Sequence, residues 1–419
     1  MKRAVLLLET CVCLLFVVSC GSNSNSVTGP NGNVSVNAPS MLKNRAFITN
    51  QYSGSVQIVD SQTDKTAFYT ITNNNTGITG PGVTGTAVNI TVGGSLTFEL
   101  LSPDGTETVV YDPASFTMTF ITNATEAPNG NLTLASWADM ALYSPDSTKI
   151  YAPVPNAPIT NARAGGVEVI DTSTGSITTT YAVPSAHGVA ISHNGNTLLV
   201  FALNSDIMYL IDLTQTTPTA VAIPGFARPV NAFISSDNST AYVLNCGPEC
   251  GSTAGPPSVM RFDLATQTIT ATVPVAGASV GLLQGSNLYV AGYPGGANGT
   301  LDLVNISNMT RTTANPVAIG DGHHTTMSVS NNNKLYIGAL SCMNSTVGCL
   351  SIVDLGKMAL DTISQPLGAV TGLQSIPGRN TMYTIQGGVL YIYDTTTGQL
   401  QSTQISFRGA LYGVLQIDQ

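Results

Sequence analysis

One segment of this chain is written eight times. "AFITNQYSGSVQIVDSQTD" at 46–64 returns as "KIYAPV…GGVEVIDTSTG" at 149–175, "TLLVFALNSDIMYLIDLT" at 197–214 and "TAYVLNCG…PSVMRFDLATQ" at 240–267. It returns again as "NLYVAGY…GTLDLVNISN" at 287–308, "KLYIGAL…GCLSIVDLGK" at 334–357 and "TMYTIQGGVLYIYDTTTG" at 381–398, with a worn copy, "TVVYDPASFTMTFITNATE", at 108–126. A unit that recurs about every 45 residues is one supersecondary module that cannot bury its apolar surface alone and must stack on its neighbours.

Every unit has the same grammar. A strand such as "GVAIS" (188–192) meets the turn "HNGN", whose counterparts are "SPDG" (102–105), "SPDS" (144–147) and "SSDN" (235–238). Pro, Asp, Asn and Gly suit tight turns through fixed φ, side-chain bonds to the backbone and tolerance of positive φ. A second strand follows, then a variable loop, a third strand ending in "ID" or similar, a turn like "TSTG" and a fourth strand. The unit is a four-stranded antiparallel meander, and its spacing predicts a β-propeller. Eight blades are expected, or seven if the worn unit at 108–126 is no blade. The first unit has a second strand ("RAFIT"), a third ("SVQIVD") and a fourth ("KTAFYTI") but no inner strand, while "ALYGVLQID" at 410–418 aligns with the inner strand "AHGVAIS". The C-terminal strand is therefore expected to complete the N-terminal blade and leave no exposed seam.

Composition agrees. Only 9% of residues are charged, and the polar load falls on Ser, Thr, Asn and Gly, which favour strands and turns over helices. A net charge of −9 with scattered Lys and Arg argues against a nucleic-acid partner.

Lys2 and Arg3 precede an apolar run from Ala4 to Val18, the pattern of a secretory signal, and the run is short for a membrane span. Val17-Val18-Ser19-Cys20 resembles the lipobox of bacterial lipoproteins. The resemblance implies cleavage before Cys20, lipid on its thiol and membrane attachment at the cell envelope, with outer-membrane sorting in a cell of two membranes. The expected organisation is a signal at 1–19, a lipidated cysteine and flexible tether at 20–40, whose composition cannot offset chain entropy, and a propeller at 41–419. Four cysteines remain, Cys246 and Cys250 in "CGPEC" and Cys342 and Cys349 in "CMNSTVGC". An even count in an exported chain predicts two local disulfides. Neither pair is CxxC and the histidines do not interleave with them, so no metal is expected, and no pattern demands a cofactor.

The second strands "FITN" (47–50) and "YVLN" (242–245), the "IVD" and "VID" third strands and the "SPDG" turn together resemble the YVTN-family β-propeller repeat. The resemblance covers nearly everything after residue 40 and implies a secreted or surface-attached scaffold. The blade pattern is also similar to that of lactonase-type propellers and haem d1 domains, so fold does not select a chemistry.

Two catalytic motifs are present in letters only. "GASVG" (277–281) fits the hydrolase nucleophile elbow, but strand rather than helix follows Ser279. "GPGVTG" (80–85) fits the dinucleotide loop, but "TAVNITV" follows and opens no helix. Asp60, Asp171, Asp212, Asp263, Asp354 and Asp394, at the ends of third strands, are expected to bind the backbone of the next turn. N-x-S/T triplets such as those at Asn123 and Asn344 are expected by chance in so Asn- and Thr-rich a chain.

One face of the ring is better decorated. Loops between second and third strands open beside those that lead into each inner strand. The long insertions at 155–166, 246–257, 293–299 and 341–349 are of the first kind. Loops of the second kind carry Trp137, Asp139, His187, Arg228, His323 and His324, the one tryptophan and three of the four histidines, with His193 on the opposite face. These six are the candidate ligand-binding residues. The expected function is a monomeric, envelope-attached binding module for a protein, glycan or small molecule. The alternatives are a lactonase-like hydrolase using the rim His and Arg groups and a structural surface component.

Overall fold

The computed structural model describes residues 39–40, 42–66 and 90–418, apart from 161, 295–297, 313–315, 343–346, 365, 402–404 and 406–409, together with the backbone of 25–29, 32–36, 68–71, 78–81, 86–87 and 89. Eight antiparallel sheets follow one another around a ring. Blade 1 joins Leu411–Gln416 to Arg45–Asn50, Ser55–Asp60 and Lys65–Thr66. Blades 2 to 8 span 99–133, 142–182, 186–223, 229–274, 280–319, 324–363 and 370–400. The worn unit is therefore a full blade, and the count is eight.

Strand alternation explains the ring. Successive side chains point to opposite faces of a strand. In blade 1, Phe47 packs with Val110 and Ile121 of blade 2, while Ala46 and Ile48 pack with Tyr383 and Ile385 of blade 8. Eight apolar clusters each bridge two neighbouring blades. Each fully buried Phe or Ile contributes about 1.5–3 kcal/mol, and none is gained until its neighbour arrives.

The ring closes on its own chain. Ala46 pairs with Gln416, Phe47 with Leu415 and Ile48 with Val414. Where other blades have a turn between inner and second strands, blade 1 has two chain segments held by an ion pair. Asp418 accepts the Arg45 backbone N–H at 2.8 Å and two guanidinium bonds, at 2.9 Å from Nε and 2.8 Å from Nη2. Arg45 Nη1 also donates to the Asn123 carbonyl and to Glu126, which ties the latch to blade 2.

One expectation needs correction. "KTAFYTI" is not one fourth strand: Lys65–Thr66 pairs with the third strand, Phe68–Ile71 pairs instead with Ile78–Pro81 and Thr86–Ala87, and Asn89–Thr91 then resumes the pairing. An outermost strand has a free edge, so an insertion there breaks no inner ladder. Within 20–40, Asn25–Gly29 pairs with Gly32–Val36. The signal at 1–19, Cys20, Asn344 and most of "GPGVTG" lie outside the described residues. Among the described residues no helix is long and apolar enough to cross a membrane.

The six third-strand aspartates act as expected. Asp171 accepts from Ser173 Oγ and the Thr174 N–H, Asp212 from Thr214 and Gln215, Asp263 from Thr266, and Asp394 from Thr396 and Thr397. Asp60 and Asp354 cap their turns in the same way. Asn123 is buried, accepting from Thr108 Oγ1 and donating to the Gly105 carbonyl, which is a structural role.

Candidate functional site

Every blade but the second sends residues into one cavity of about 700 Å³ where the inner strands begin. Asp139, His187, Arg228, Ser279, His323, Thr371 and Tyr412 mark its circuit from blade 3 round to blade 1.

A repeated irregularity builds this mouth. The inner strand of blade 4 pairs Ala186 with Ala202 and Gly188 with Phe201, so His187 is an extra residue. The same slip leaves Val230, Thr325 and Thr371 unpaired in blades 5, 7 and 8, and blade 1 slips at Tyr412–Gly413. A bulge bends its strand and re-aims a side chain. His187, Val230, Thr325, Thr371 and Tyr412 all line the cavity. Glycine often follows because the inner strands converge: a Cβ on Gly413 would stand 2.9 Å from Glu99 Oε1, and one on Gly372 would stand 3.1 Å from Val414 Cγ1.

The structure brings together most of the residues singled out from the sequence. His187 Nε2 lies 2.6 Å from Asp139 Oδ2, and the Trp137 ring meets the His187 ring edge-on at 6.1 Å. Trp137 supports His187 from outside the cavity lining. Arg228 adopts φ +54° directly before Pro229, a conformation rare for a residue with a side chain. It is held there by its N–H bond to Asp206, by Nε on the Cys250 carbonyl and by Nη2 on the Gly251 carbonyl. His323 occupies the position of Arg228 two blades further on, and its Nδ1 lies 3.5 Å from Glu249. That carboxylate holds the imidazolium and raises the His323 pKa above the ordinary value.

His324 is placed differently from its neighbour. Its ring turns between blades 6 and 7 against Gly299, where a Cβ would come within 2.5 Å of Cε1. Burial pushes its pKa down to about 4. The Gly320 carbonyl lies nearby and only moderates that shift. The neutral ring fills a blade interface, and its carbonyl accepts from Ser279 Oγ. Ser279 enters an inner strand and bonds two carbonyls, with no helix behind it.

Sequence reasoning missed several groups that shape the site. Glu249, inside the "CGPEC" loop, is 7% exposed, faces His323 and accepts the Tyr293 N–H at 2.8 Å. Asp206 fixes both Arg228 and Ser252. Tyr412 sits across from Asp139, and burial followed by that carboxylate raises its pKa. The only available signal was an acidic residue inside a loop closed by cysteines.

Both disulfides form, Cys246–Cys250 and Cys342–Cys349. The first closes the loop that holds Arg228 and His323. The second backs Gly320 and Asp321, which lead into His323. They fit an oxidising compartment. Among the described residues one group of acidic, Cys and His side chains reaches metal-ligand spacing, Asp321 with Cys342 and Cys349. Both of its sulfurs are committed to a disulfide, which lacks the thiolate that binds metals.

No family model and no curated protein matches the chain. Solved structures do. Dihydro-heme d1 dehydrogenase NirN, solved in complex with DHE, superposes with a TM-score of 0.65 at 11% identity, over 91% of this chain and 76% of that one. A protein of unknown function from Desulfotomaculum acetoxidans gives 0.54 at 13% identity, over 89% and 98%. The β-propeller domain of Cps50 (Swd1) from Myceliophteria thermophila gives 0.52 at 11% identity, over 70% and 94%. At these identities the likeness is one of fold: the chain is an eight-bladed β-propeller.

Proposed function

We propose that this chain is an exported binding module of the YVTN-repeat type, attached to the cell envelope through lipid on Cys20, whose cavity face captures a ligand. The observation that carries the reading is convergence. Five bulged inner-strand positions, two rim cations and the loop closed by Cys246–Cys250 meet at one concave mouth of about 700 Å³, within the range of ligand pockets. In this reading residues 1–19 are removed, 20–40 connect lipid to ring, 41–419 form the monomeric propeller, and Asp139, His187, Arg228 and His323 contact the ligand, with Trp137 and His324 behind them.

The test fills the cavity. Thr325 is exposed on its wall, and Thr325→Trp adds bulk without touching an interblade core. Native mass spectrometry of protein purified from its own envelope should detect a small molecule on the wild type and none on the variant at unchanged melting temperature. Equal retention by both contradicts the reading.

One observation favours a second reading, hydrolysis. The His187–Asp139 pair leaves Nδ1 of the imidazole for a proton transfer. A lactone panel, with and without divalent metal, should then show turnover that His187→Ala abolishes; no turnover across the panel removes this reading.

A further inference from the structure

We infer that the cavity recognises an acidic saccharide, a sugar carboxylate whose charge docks on Arg228; this rests on the binding reading above. Arg228 has five N–H donors in a planar fork. Two are spent on the Cys250 and Gly251 carbonyls, through Nε and Nη2. Those bonds occupy one edge of the guanidinium and leave the Nη1–Nη2 edge, whose two parallel N–H groups match a carboxylate. Among the described residues no side-chain carboxylate forms an ion pair with it, whereas Arg45, Arg311 and Arg379 each have one. His187 and His323 already have Asp139 and Glu249. Arg228 is thus the rim cation whose charge is unmatched by the protein.

The rest of the cavity specifies what carries the carboxylate. Thr325, Thr326 and Tyr412 supply hydroxyls around the wall. Tyr412 supplies ring surface. A flat-faced, multiply hydroxylated ring needs both: apolar faces for its C–H groups and short polar side chains for its hydroxyls. The unusual Arg228 backbone fits this role. A side chain held in a left-handed conformation before a proline is over-determined by its surroundings, and such strain clusters at ligand clamps. The cavity is closed at its sides by seven blades, so it accepts a free sugar acid or the end of a polyuronate rather than the middle of a chain.

Isothermal titration with digalacturonate, its neutral counterpart galactobiose and polygalacturonate tests the inference on the full mature chain. Digalacturonate should bind at least about tenfold tighter than galactobiose, the worth of one charge-assisted fork. Arg228→Gln should bring that ratio to about one, and Arg228→Lys should restore only part of it, while galactobiose binds both variants as tightly as the wild type. Stoichiometric binding of digalacturonate with polygalacturonate binding only per chain end identifies a terminal-sugar site; binding all along the polymer overturns the cavity assignment. Galactobiose binding as tightly as digalacturonate, and blocked by Thr325→Trp, overturns the acidic-sugar inference while the cavity reading stands. Digalacturonate binding that survives Thr325→Trp overturns both. No heat from digalacturonate up to about 10 mM, weaker than any useful specific affinity, overturns the acidic-sugar inference.

Discussion

The two faces of this ring are built from the same repeats and differ in what the repeats are allowed to vary. On the turn face, blades 2, 3, 4, 5 and 7 repeat one hydrogen-bonded turn. Ser102, Ser144, Ser192, Ser235 and Ser330 each donate Oγ to the acidic or amide oxygen two residues on, at 2.5–2.7 Å. The same Ser Oγ then accepts the N–H that opens the second strand, as at Glu107, Lys149, Thr197, Thr240 and Lys334. Even the ring seam follows this rule, with Asp418 accepting the Arg45 N–H where a Ser Oγ would. On the mouth face the equivalent bulges hold His187, Val230 and Tyr412 in blades 4, 5 and 1, and only blades 7 and 8 share a residue type there, with Thr325 and Thr371. Uniformity is what holding a ring together requires, and divergence on one face is what recognising a ligand requires.

The largest expected effect comes from cutting the turn-face latch. A chain ending at residue 410 loses the inner strand of blade 1 and should lose its cooperative thermal transition, because two interblade clusters lose members at once. A truncated chain that melts cooperatively near the wild-type temperature would make the closure ornamental. Asp418→Ala is milder. It strips Arg45 of its bidentate partner and leaves a mostly buried guanidinium with Glu126. A loss of about 2–4 kcal/mol in urea denaturation is expected, with ligand capture unchanged.

The mouth should answer differently. Replacing Cys342 and Cys349 together by Ser releases a short loop and should cost about 2 kcal/mol or less. Amide exchange should nonetheless rise sharply at 320–324, which the disulfide backs, while the turns at 144–147 and 235–238 stay protected. Acid titration gives the smallest effect and separates the faces by pH. The turn carboxylates Asp104, Asp146 and Asp237 are held below their ordinary pKa of 3.8 by Ser and Thr hydroxyls and backbone N–H groups. Their stabilisation is present above about pH 4 and is lost as pH falls through their lowered values. His323 runs the other way, since Glu249 raises its pKa: its contribution is full below about pH 6.5 and is lost as pH rises through the raised value. Stability profiles of Ser235→Ala and Glu249→Gln should therefore depart from wild type at opposite ends of the pH scale; departures in the same range would erase the distinction.

The turn face and the ring were legible in the sequence because they repeat. Eight copies of a strand–turn–strand pattern gave the blades, and the lone "ALYGVLQID" gave the closure. The mouth was legible only by residue type. His187 and Arg228 stood out as rare residues in the right loops, but the bulges that aim them are a mismatch of one residue between paired strands, visible only when partners are counted. Glu249 was hidden for a related reason: its role depends on His323, some 70 residues away and on another blade. His324, next in sequence to a rim residue, turns the other way because one step along a strand reverses the side chain. The split fourth strand of blade 1 escaped notice because "KTAFYTI" alternates as well as any strand that pairs.

Hydrogen exchange with saturating digalacturonate tests most directly whether recognition belongs to the mouth face. Slowed exchange is predicted at 185–188, 226–230, 247–252, 322–326 and 370–372, with no change at the turns 102–105, 144–147, 193–196 and 235–238. Protection of those turns, with the Arg228 loop unaffected, would contradict the account.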